Sequence, residues 1–273
     1  MILCACKMIM GAFEAVGCKM QSQFSITIIT ACFNAGDTID DTLRSVQSQN
    51  VQNCAVEHIV KDGGSDDDTK QRVAAYDNVR FVSTSDTGIY DALNQAVALA
   101  SGDIIGLLHA NDFYADNDVL QRVCAAFADD AQLLGVYADL NYVSDKNVHK
   151  VVRHWQAKKF SQRKLRFGWM PPHPTLFLRR SVYEELGGFN TNYKISADYD
   201  FMLRLFSQYG ARIAYVPALF VLMRTGGKSN RGLGNLARKS WEDYQAAKAM
   251  GLFAPLTIAS KILSKIGQIR FIL

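Results

Sequence analysis

Residues 88–114 read GIYDALNQAVALASGDIIGLLHANDFY, and this stretch decides the fold. Tyr90–Ala100 is an Ala-rich run with apolar Leu93, Ala96 and Val97 at helical spacing. Ser101 and Gly102 break it. Asp103–Leu108 (DIIGLL) is then a short apolar run of the length and composition of a buried strand. It stops at the polar loop His109-Ala110-Asn111-Asp112. Helix, buried strand and polar loop in that order form one repeat of a sheet whose strands are joined by crossover helices.

The flanking sequence continues the alternation. Upstream, Phe24–Thr30 (FSITIIT), Glu57–Lys61 and Val79–Ser83 read as strands, with helices expected over Asp37–Gln49 and Asp68–Tyr76. Downstream, Val119–Phe127 reads as a helix and Gly135–Tyr142 as a strand. After residue 150 come a strand at Thr175–Leu178, a helix at Ser181–Leu186 and a helix at Asp198–Tyr209. The expected class is α/β, an open, mainly parallel sheet flanked by helices. Such sheets bind ligands beyond the carboxyl ends of their strands. Cys32–Gly36, Asp62–Ser65 and His109–Tyr114 should therefore converge on one crevice.

Composition bounds the function. The chain has 273 residues, 49% hydrophobic and 21% charged, which excludes a disordered or collagen-like chain. Its net charge of +4 hides an asymmetry. Residues 1–150 hold 10 Lys and Arg against 20 Asp and Glu, and residues 151–273 hold 20 against 6. An acidic half suits a metal or sugar hydroxyls, and a basic half suits phosphates or an anionic membrane, although solvated faces would give the same asymmetry. Six cysteines without C-x-x-C spacing indicate neither a disulfide framework nor a zinc site, which favours a reducing compartment. Residues 1–22 are expected to lie outside the fold, with Met20 a natural start before the first strand.

The strand ends carry no G-x-G-x-x-G, Walker A or G-x-S-x-G sequence. They carry carboxylates instead: Asp62, Asp91 and Asp112, then Asp198 and Asp200. One or two carboxylates at a crevice rim suffice for a hard divalent cation that also binds substrate phosphates. Each has a structural alternative. Asn-Asp after a strand also makes a good turn, Ser65 also suits a helix cap, and Asp198 also suits an N-cap.

Taken together, Ser25–Asn34, IVKDGGSDDDT (59–69), residues 88–114, GGFN (187–190) and SADYDFMLRL (196–205) resemble, in order and spacing, the bacterial family 2 glycosyltransferases. The likeness covers about residues 24–230 and is greatest to enzymes of colanic acid or O-antigen assembly. It implies a GT-A fold and inverting transfer from a nucleoside diphosphate sugar, with Mg²⁺ or Mn²⁺ as cofactor. It places Phe33, Asn34 and Asp62 at the nucleotide pocket, Asp91 and Asn111 facing the donor, Arg224 on the diphosphate and Asp112 on the metal. Asp198 matches the catalytic base, while His173 and Asp200 take acceptor-side or supporting roles. The chain departs from the family pattern at Gly63, where a second acid is usual, at Asn111, which replaces another acid, and at His109, which replaces an Asn.

The resemblance divides the chain into a glycosyltransferase domain at 23–230 and a C-terminal segment at 231–273. Residues 23–150 would bind the donor, and residues 151–230 would hold the acceptor and the base. Processive members carry Gln-x-x-Arg-Trp and membrane-spanning helices; neither is evident here, which points to addition of a single sugar. From Ile258 onward the C-terminal segment reads as a basic amphipathic helix suited to a membrane surface, or equally as a helix packed on its own domain. With the basic, aromatic stretch Lys158–Trp169 it suggests a cytoplasmic enzyme on the inner membrane face acting on a saccharide or lipid-linked acceptor. No nucleic-acid partner is expected. A nucleotidyltransferase and a non-catalytic scaffold are the rival readings.

Overall fold

The computed structural model describes residues 24–52, 54–226 and 233–269. The expected extension at 1–22 and the residues Gly227-Lys228-Ser229 of the Gly-Gly loop lie outside them. The first half begins with β1 (Phe24–Cys32), α1 (Ile39–Gln47), β2 (Cys54–Asp62), α2 (Thr69–Val73) and β3 (Val79–Ser83). It continues through α3 (Ile89–Leu99), β4 (Ile104–Leu107), β5 (Asp112–Tyr114), α4 (Val119–Asp129) and β6 (Gly135–Val143). The second half holds β7 (Val151–Trp155), α5 (Gln162–Arg166), β8 (Phe177–Arg179), α6 (Arg180–Leu186), α7 (Ala197–Tyr209) and β9 (Ile213–Arg224). Two helices close the described chain, α8 (Leu233–Ala249) and α9 (Ala254–Ile269).

The strands form one sheet in the order β3-β2-β1-β4-β8-β6-β9-β5, with β7 paired to β6. The α/β reading holds, and the mainly parallel pairing expected is found between β6 and β9 and throughout one end of the sheet. There β1, β2, β3 and β4 are parallel. Beyond them β8 runs antiparallel to β4 and β6, β5 antiparallel to β9, and β7 antiparallel to β6. Antiparallel β5, β7 and β8 make the sheet mixed, while β6 and β9 are parallel neighbours joined through the helices between them.

Side chains alternate across β1. Ile29 joins Leu93, Ala96, Leu107, Phe201 and Phe206 on one face, and Ile28 joins Leu120, Val123, Phe127 and Phe177 on the other. Fully burying each such side chain contributes about 1.5–3 kcal/mol. Two apolar layers on opposite faces explain why β1 and β4 are apolar at nearly every position.

The C-terminal helices do not stand apart from the domain. Ala246 and Ala247 on α8 and Ala254 on α9 are buried in the same core layer as Phe201. Lys261, expected among the cations of a membrane-facing helix, is buried and lies 2.8 Å from Asp243. Its ammonium also sits 3.2 Å from the Tyr199 ring centroid. Inward-facing aromatics likewise account for much of the basic stretch, since Phe160 and Trp169 pack on Phe206 at 5.3 and 5.2 Å between ring centroids.

Candidate active site

The three predicted loops do meet at the ends of β1, β2 and β4. The Asn34 amide donates to Ser65 Oγ at 2.8 Å, and the Asp66 amide donates to Asn34 Oδ1 at 3.1 Å. Asn34 adopts φ +50°, a left-handed conformation that asparagine tolerates better than most residues. Thr38 Oγ1 donates to Asn111 Oδ1 at 2.6 Å, and Thr42 Oγ1 donates to the Asp112 carbonyl at 2.7 Å. The first turns of α1 therefore tie the His109–Asp112 loop to the β1 loop. Phe33 stands at this rim with an exposed ring.

Asp62 is buried at the end of β2. Its Oδ2 accepts from the amides of Gly64 and Ser65, each at 3.0 Å, and from Ser83 Oγ at 2.7 Å; the Ser65 hydroxyl donates to Oδ1. Burial alone would raise this carboxyl, but the Ser65 and Ser83 hydroxyls and the two amides outweigh it and hold it below the usual range. Three of these donors share Oδ2, so Asp62 shapes the turn at the end of β2. The absent second acid has a spatial counterpart. A Cβ at Gly63 would lie 2.7 Å from Asp86 Oδ2, so the Asp86 carboxylate occupies the space beside that position. Asp86 is itself held by the Gly88 amide at 3.0 Å and by Lys61 Nζ at 3.5 Å.

Asp112 is buried, and its Oδ2 has no hydrogen-bond partner. Burial pushes its carboxyl up to about 8, with Arg224 working in the opposite direction. Arg224, at the end of β9, is paired with Asp41 of α1 and lies over the Phe113 ring at 5.1 Å. Among the described residues no three His, Cys, Asp or Glu side chains are arranged to hold a metal by themselves. An orphaned carboxylate oxygen at a crevice rim nevertheless fits a hard cation that brings phosphate oxygens as its other ligands.

Asp198 lies on the first turn of α7, half-buried. Its Oδ1 accepts from the Tyr199 amide at 2.8 Å and lies 3.2 Å from the Tyr90 hydroxyl, which also donates to the Ile195 carbonyl at 2.6 Å. Ser196 holds the N-cap position, so the capping alternative for Asp198 falls. Asp200 turns away and binds Arg204 at 3.0 Å, and Arg204 in turn holds the Leu186 and Gly188 carbonyls. Asp91 accepts from the amide and hydroxyl of Thr87 at 2.9 and 3.2 Å, which fixes the turn into α3. A shallow cleft runs between Thr87–Asp91 and Thr191–Lys194.

His109 and His173 face one another across the crevice, with ring centroids 6.1 Å apart. His109 Nδ1 and His173 Nε2 are buried without hydrogen-bond partners. Burial lowers the His109 ring to about 4 and lowers His173 as well, with the Asp198 carboxylate opposing in both. Tyr142 is raised by burial, and Asp112 and Asp198 add to that shift. The two carboxylates expected to act thus both lie within electrostatic reach of Tyr142. The sequence pattern did not reveal the roles of Ser83, Asp86, Tyr90 or Tyr142. Tyr90 carried the only signal, an aromatic residue next to Asp91 at the start of α3.

A mixed α/β sheet with a polar crevice at its strand ends, an orphaned acid on one side and an acid at a helix start on the other defines the class of GT-A glycosyltransferases. The sequence profile of Glycosyl transferase family 2 matches residues 27–187, and the chain belongs to that family. An uncharacterized glycosyltransferase of Mycobacterium tuberculosis is 32% identical over 191 residues, 68% of this chain and 70% of the relative. A PGL/p-HBAD biosynthesis glycosyltransferase of Mycobacterium bovis is 28% identical over 76% of this chain and 79% of the relative. Two solved structures share the fold. A mannosyltransferase from Pyrobaculum calidifontis, in complex with GDP-Man and Mn²⁺, superposes with TM-score 0.62 at 20% identity over 88% of this chain and 70% of that one. Glucosyl-3-phosphoglycerate synthase from Mycobacterium tuberculosis, with Mn²⁺, UDP and phosphoglyceric acid, gives 0.61 at 18% identity over 85% and 81%. No helix among the described residues is long and apolar enough to cross a membrane.

Proposed function

We propose that this glycosyltransferase moves one sugar, with inversion, from a nucleoside diphosphate sugar to a saccharide acceptor carried on a lipid. The observation that carries the reading is that Asp198 acts electrostatically on His109, His173 and Tyr142, and Asp112 acts on the same Tyr142, with His109 and His173 facing at 6.1 Å between ring centroids. Two proteins of the same fold with a nucleotide or nucleotide sugar and Mn²⁺ bound, described above, support the donor class and the metal.

In this scheme Asp198 takes the proton of the acceptor hydroxyl as its oxygen attacks the anomeric carbon. The bond from that carbon to the diphosphate oxygen breaks on the opposite face, so the configuration inverts. Tyr90 and the Tyr199 amide hold Oδ1 of the base. Phe33, Asn34 and Asn111 form the rim against the nucleotide, and Arg224 stands beside Asp112 with a cation for the phosphates. His173 presents a neutral ring to the reacting sugars. A Mg²⁺ or Mn²⁺ ion held by Asp112 supplies Lewis-acid neutralisation of the departing diphosphate when bound.

The lipid-linked acceptor is supported by the outer surface of the C-terminal helices. Trp241, Phe253, Leu256, Ile262 and Leu263 are exposed there, and α9 carries no acid. A panel of nucleotide sugars with and without Mn²⁺, read by nucleoside diphosphate release and by the anomeric configuration of the product, tests the proposal. Retained configuration overturns the in-line scheme, and full activity of Asp198→Asn overturns the base.

A further inference from the structure

The loop that delivers Asp198 is held from outside the region matched by the family profile. Residues 194–196 lead directly into α7, and their three consecutive amides all donate to one side chain, Glu242 of α8. Lys194 donates to Oε1 at 3.1 Å, while Ile195 and Ser196 donate to Oε2 at 2.8 and 2.9 Å. Glu242 is 8% exposed, so these bonds form largely out of water, where a charged acceptor is strong and the loss of one is costly. On its other side the loop is fixed by Tyr90, which donates to the Ile195 carbonyl at 2.6 Å. The same hydroxyl is 3.2 Å from Asp198 Oδ1.

The helix bearing Glu242 is in turn locked in place. The next residue, Asp243, binds Lys261 of α9 at 2.8 Å, and that ammonium rests on the ring of Tyr199, the neighbour of Asp198. Ser196 Oγ reaches the Lys239 carbonyl at 3.3 Å, a further tie to α8. The Tyr199 and Ser196 contacts end on the loop or first turn that carries the proposed base, and the Asp243–Lys261 pair ties the two supporting helices together.

We propose that Glu242 is a positioning residue for Asp198: α8 and α9 form a bracket that sets the loop 194–196 and thereby the aim of the base. The proposal rests on the assignment of Asp198 made above. A group displaced by about 1 Å from its reacting partner costs ~10²-fold in rate, and Glu242 fixes the three amides that lead into the base. The donor crevice at β1, β2 and β4 has no contact with Glu242 among the bonds described, so nucleotide binding should not depend on it.

The test compares full-length wild type with Glu242→Ala and Glu242→Gln. Expected for Glu242→Ala is amide hydrogen exchange at 194–196 at least about tenfold faster with β1 and β4 unchanged, the affinity for UDP or GDP within about twofold, and kcat lower by roughly 10–100-fold. Glu242→Gln keeps one oxygen acceptor and should recover part of both exchange protection and kcat. Unchanged exchange at 194–196 in a folded Glu242→Ala protein overturns the proposal. So does a loss of kcat that only follows loss of nucleotide affinity or of folded protein. If wild type turns over no donor, the glycosyl-transfer reading fails, while accelerated exchange confined to 194–196 still supports the hold of Glu242 on the loop.

Discussion

Tyr90 and Asp198 meet across the two halves of the molecule, the phenol oxygen 3.2 Å from the carboxylate Oδ1. Tyr90 lies on the first turn of α3, and Asp198 on the first turn of α7. The single phenolic proton also has the Ile195 carbonyl in reach, at 2.6 Å. The starts of the two helices are therefore joined through one hydroxyl.

Tyr90→Phe isolates that hydroxyl. The ring contact with Phe189, 5.7 Å between centroids, should survive. The fold should lose about 1 kcal/mol, the typical net worth of one hydrogen bond. The larger effect is expected in kcat, a fall of roughly tenfold with little change in donor KM. Steady-state kinetics alongside a thermal melt separate the two. A change confined to donor KM would detach Tyr90 from the base.

Gly63→Ala places a methyl group 2.7 Å from Asp86 Oδ2. The carboxylate must shift, loosening its contacts with the Gly88 amide and with Lys61, whose side chain is fully buried. Lys61 retains the Asp62 and Thr84 carbonyls, at 3.0 and 2.6 Å, so the expected cost is moderate, about 1–3 kcal/mol for strain in a packed site. Titration with UDP and GDP should show weaker binding of both, because Asp86 leads into the turn at Gly88 that starts α3.

The donor half of this fold was legible because β1 to β4 and the helices between them are plainly periodic, and Val79–Ser83 was placed to the residue. β9 was not legible. It contains Pro217, which normally argues against a strand within a sheet. The register with β6 explains its presence: Tyr137 pairs with Tyr215 and Asp139 with Leu219, so three residues of β9 face one of β6 and Pro217 lies in the irregularity. β5 has only three residues, too few for any period. At the site, Asp112 and Asp198 were visible as acids at element boundaries. Glu242 was not, because nothing local marks a helix-interior Glu as the acceptor for a loop 46 to 48 residues away.

Buried histidines give the protein an acid-sensitive side. Burial lowers the His58 ring to about 4, where its Nε2 is 2.9 Å from Thr30 Oγ1. In the unfolded chain the ring titrates near 6.5. Between those values the unfolded state binds the extra proton, so stability is fully present above about 6.5 and falls as pH drops toward 4. His109 and His173 shift in the same direction. Asp112, raised to about 8, works in the opposite direction over the same range, so the test is a difference: between pH 7 and 4.5 His58→Gln should lose less melting temperature than wild type. An unchanged slope in a folded variant would assign the acid sensitivity to other groups.

Lys261 and Asp243 form a buried pair, each side chain less than a tenth exposed. Burial lowers the Lys261 ammonium, with Asp243 opposing. Removing one partner leaves an uncompensated charge, which costs about 3–5 kcal/mol, whereas replacing both with apolar groups is often neutral. Lys261→Met alone should destabilise strongly, and the double variant Lys261→Met/Asp243→Leu should recover most of the loss in denaturant unfolding.

The proposed lipid-linked acceptor makes the surface around this helix a membrane-binding prediction. With Lys261 turned inward, Leu256, Ile262 and Leu263 of α9 are exposed beside Phe253, and Phe253 and Leu263 are 73% and 66% exposed. Burying each in an interface would contribute about 1.5–3 kcal/mol, so Phe253→Ser/Leu263→Ser should weaken sedimentation with anionic liposomes by well over tenfold. The basic residues Arg163, Lys164 and Arg166 on α5 add attraction that salt screens within about 10 Å. Raising ionic strength should therefore reduce binding only in part, with the apolar contribution surviving. Liposome binding that persists undiminished in the double Ser variant and vanishes in salt would assign the association to charge alone.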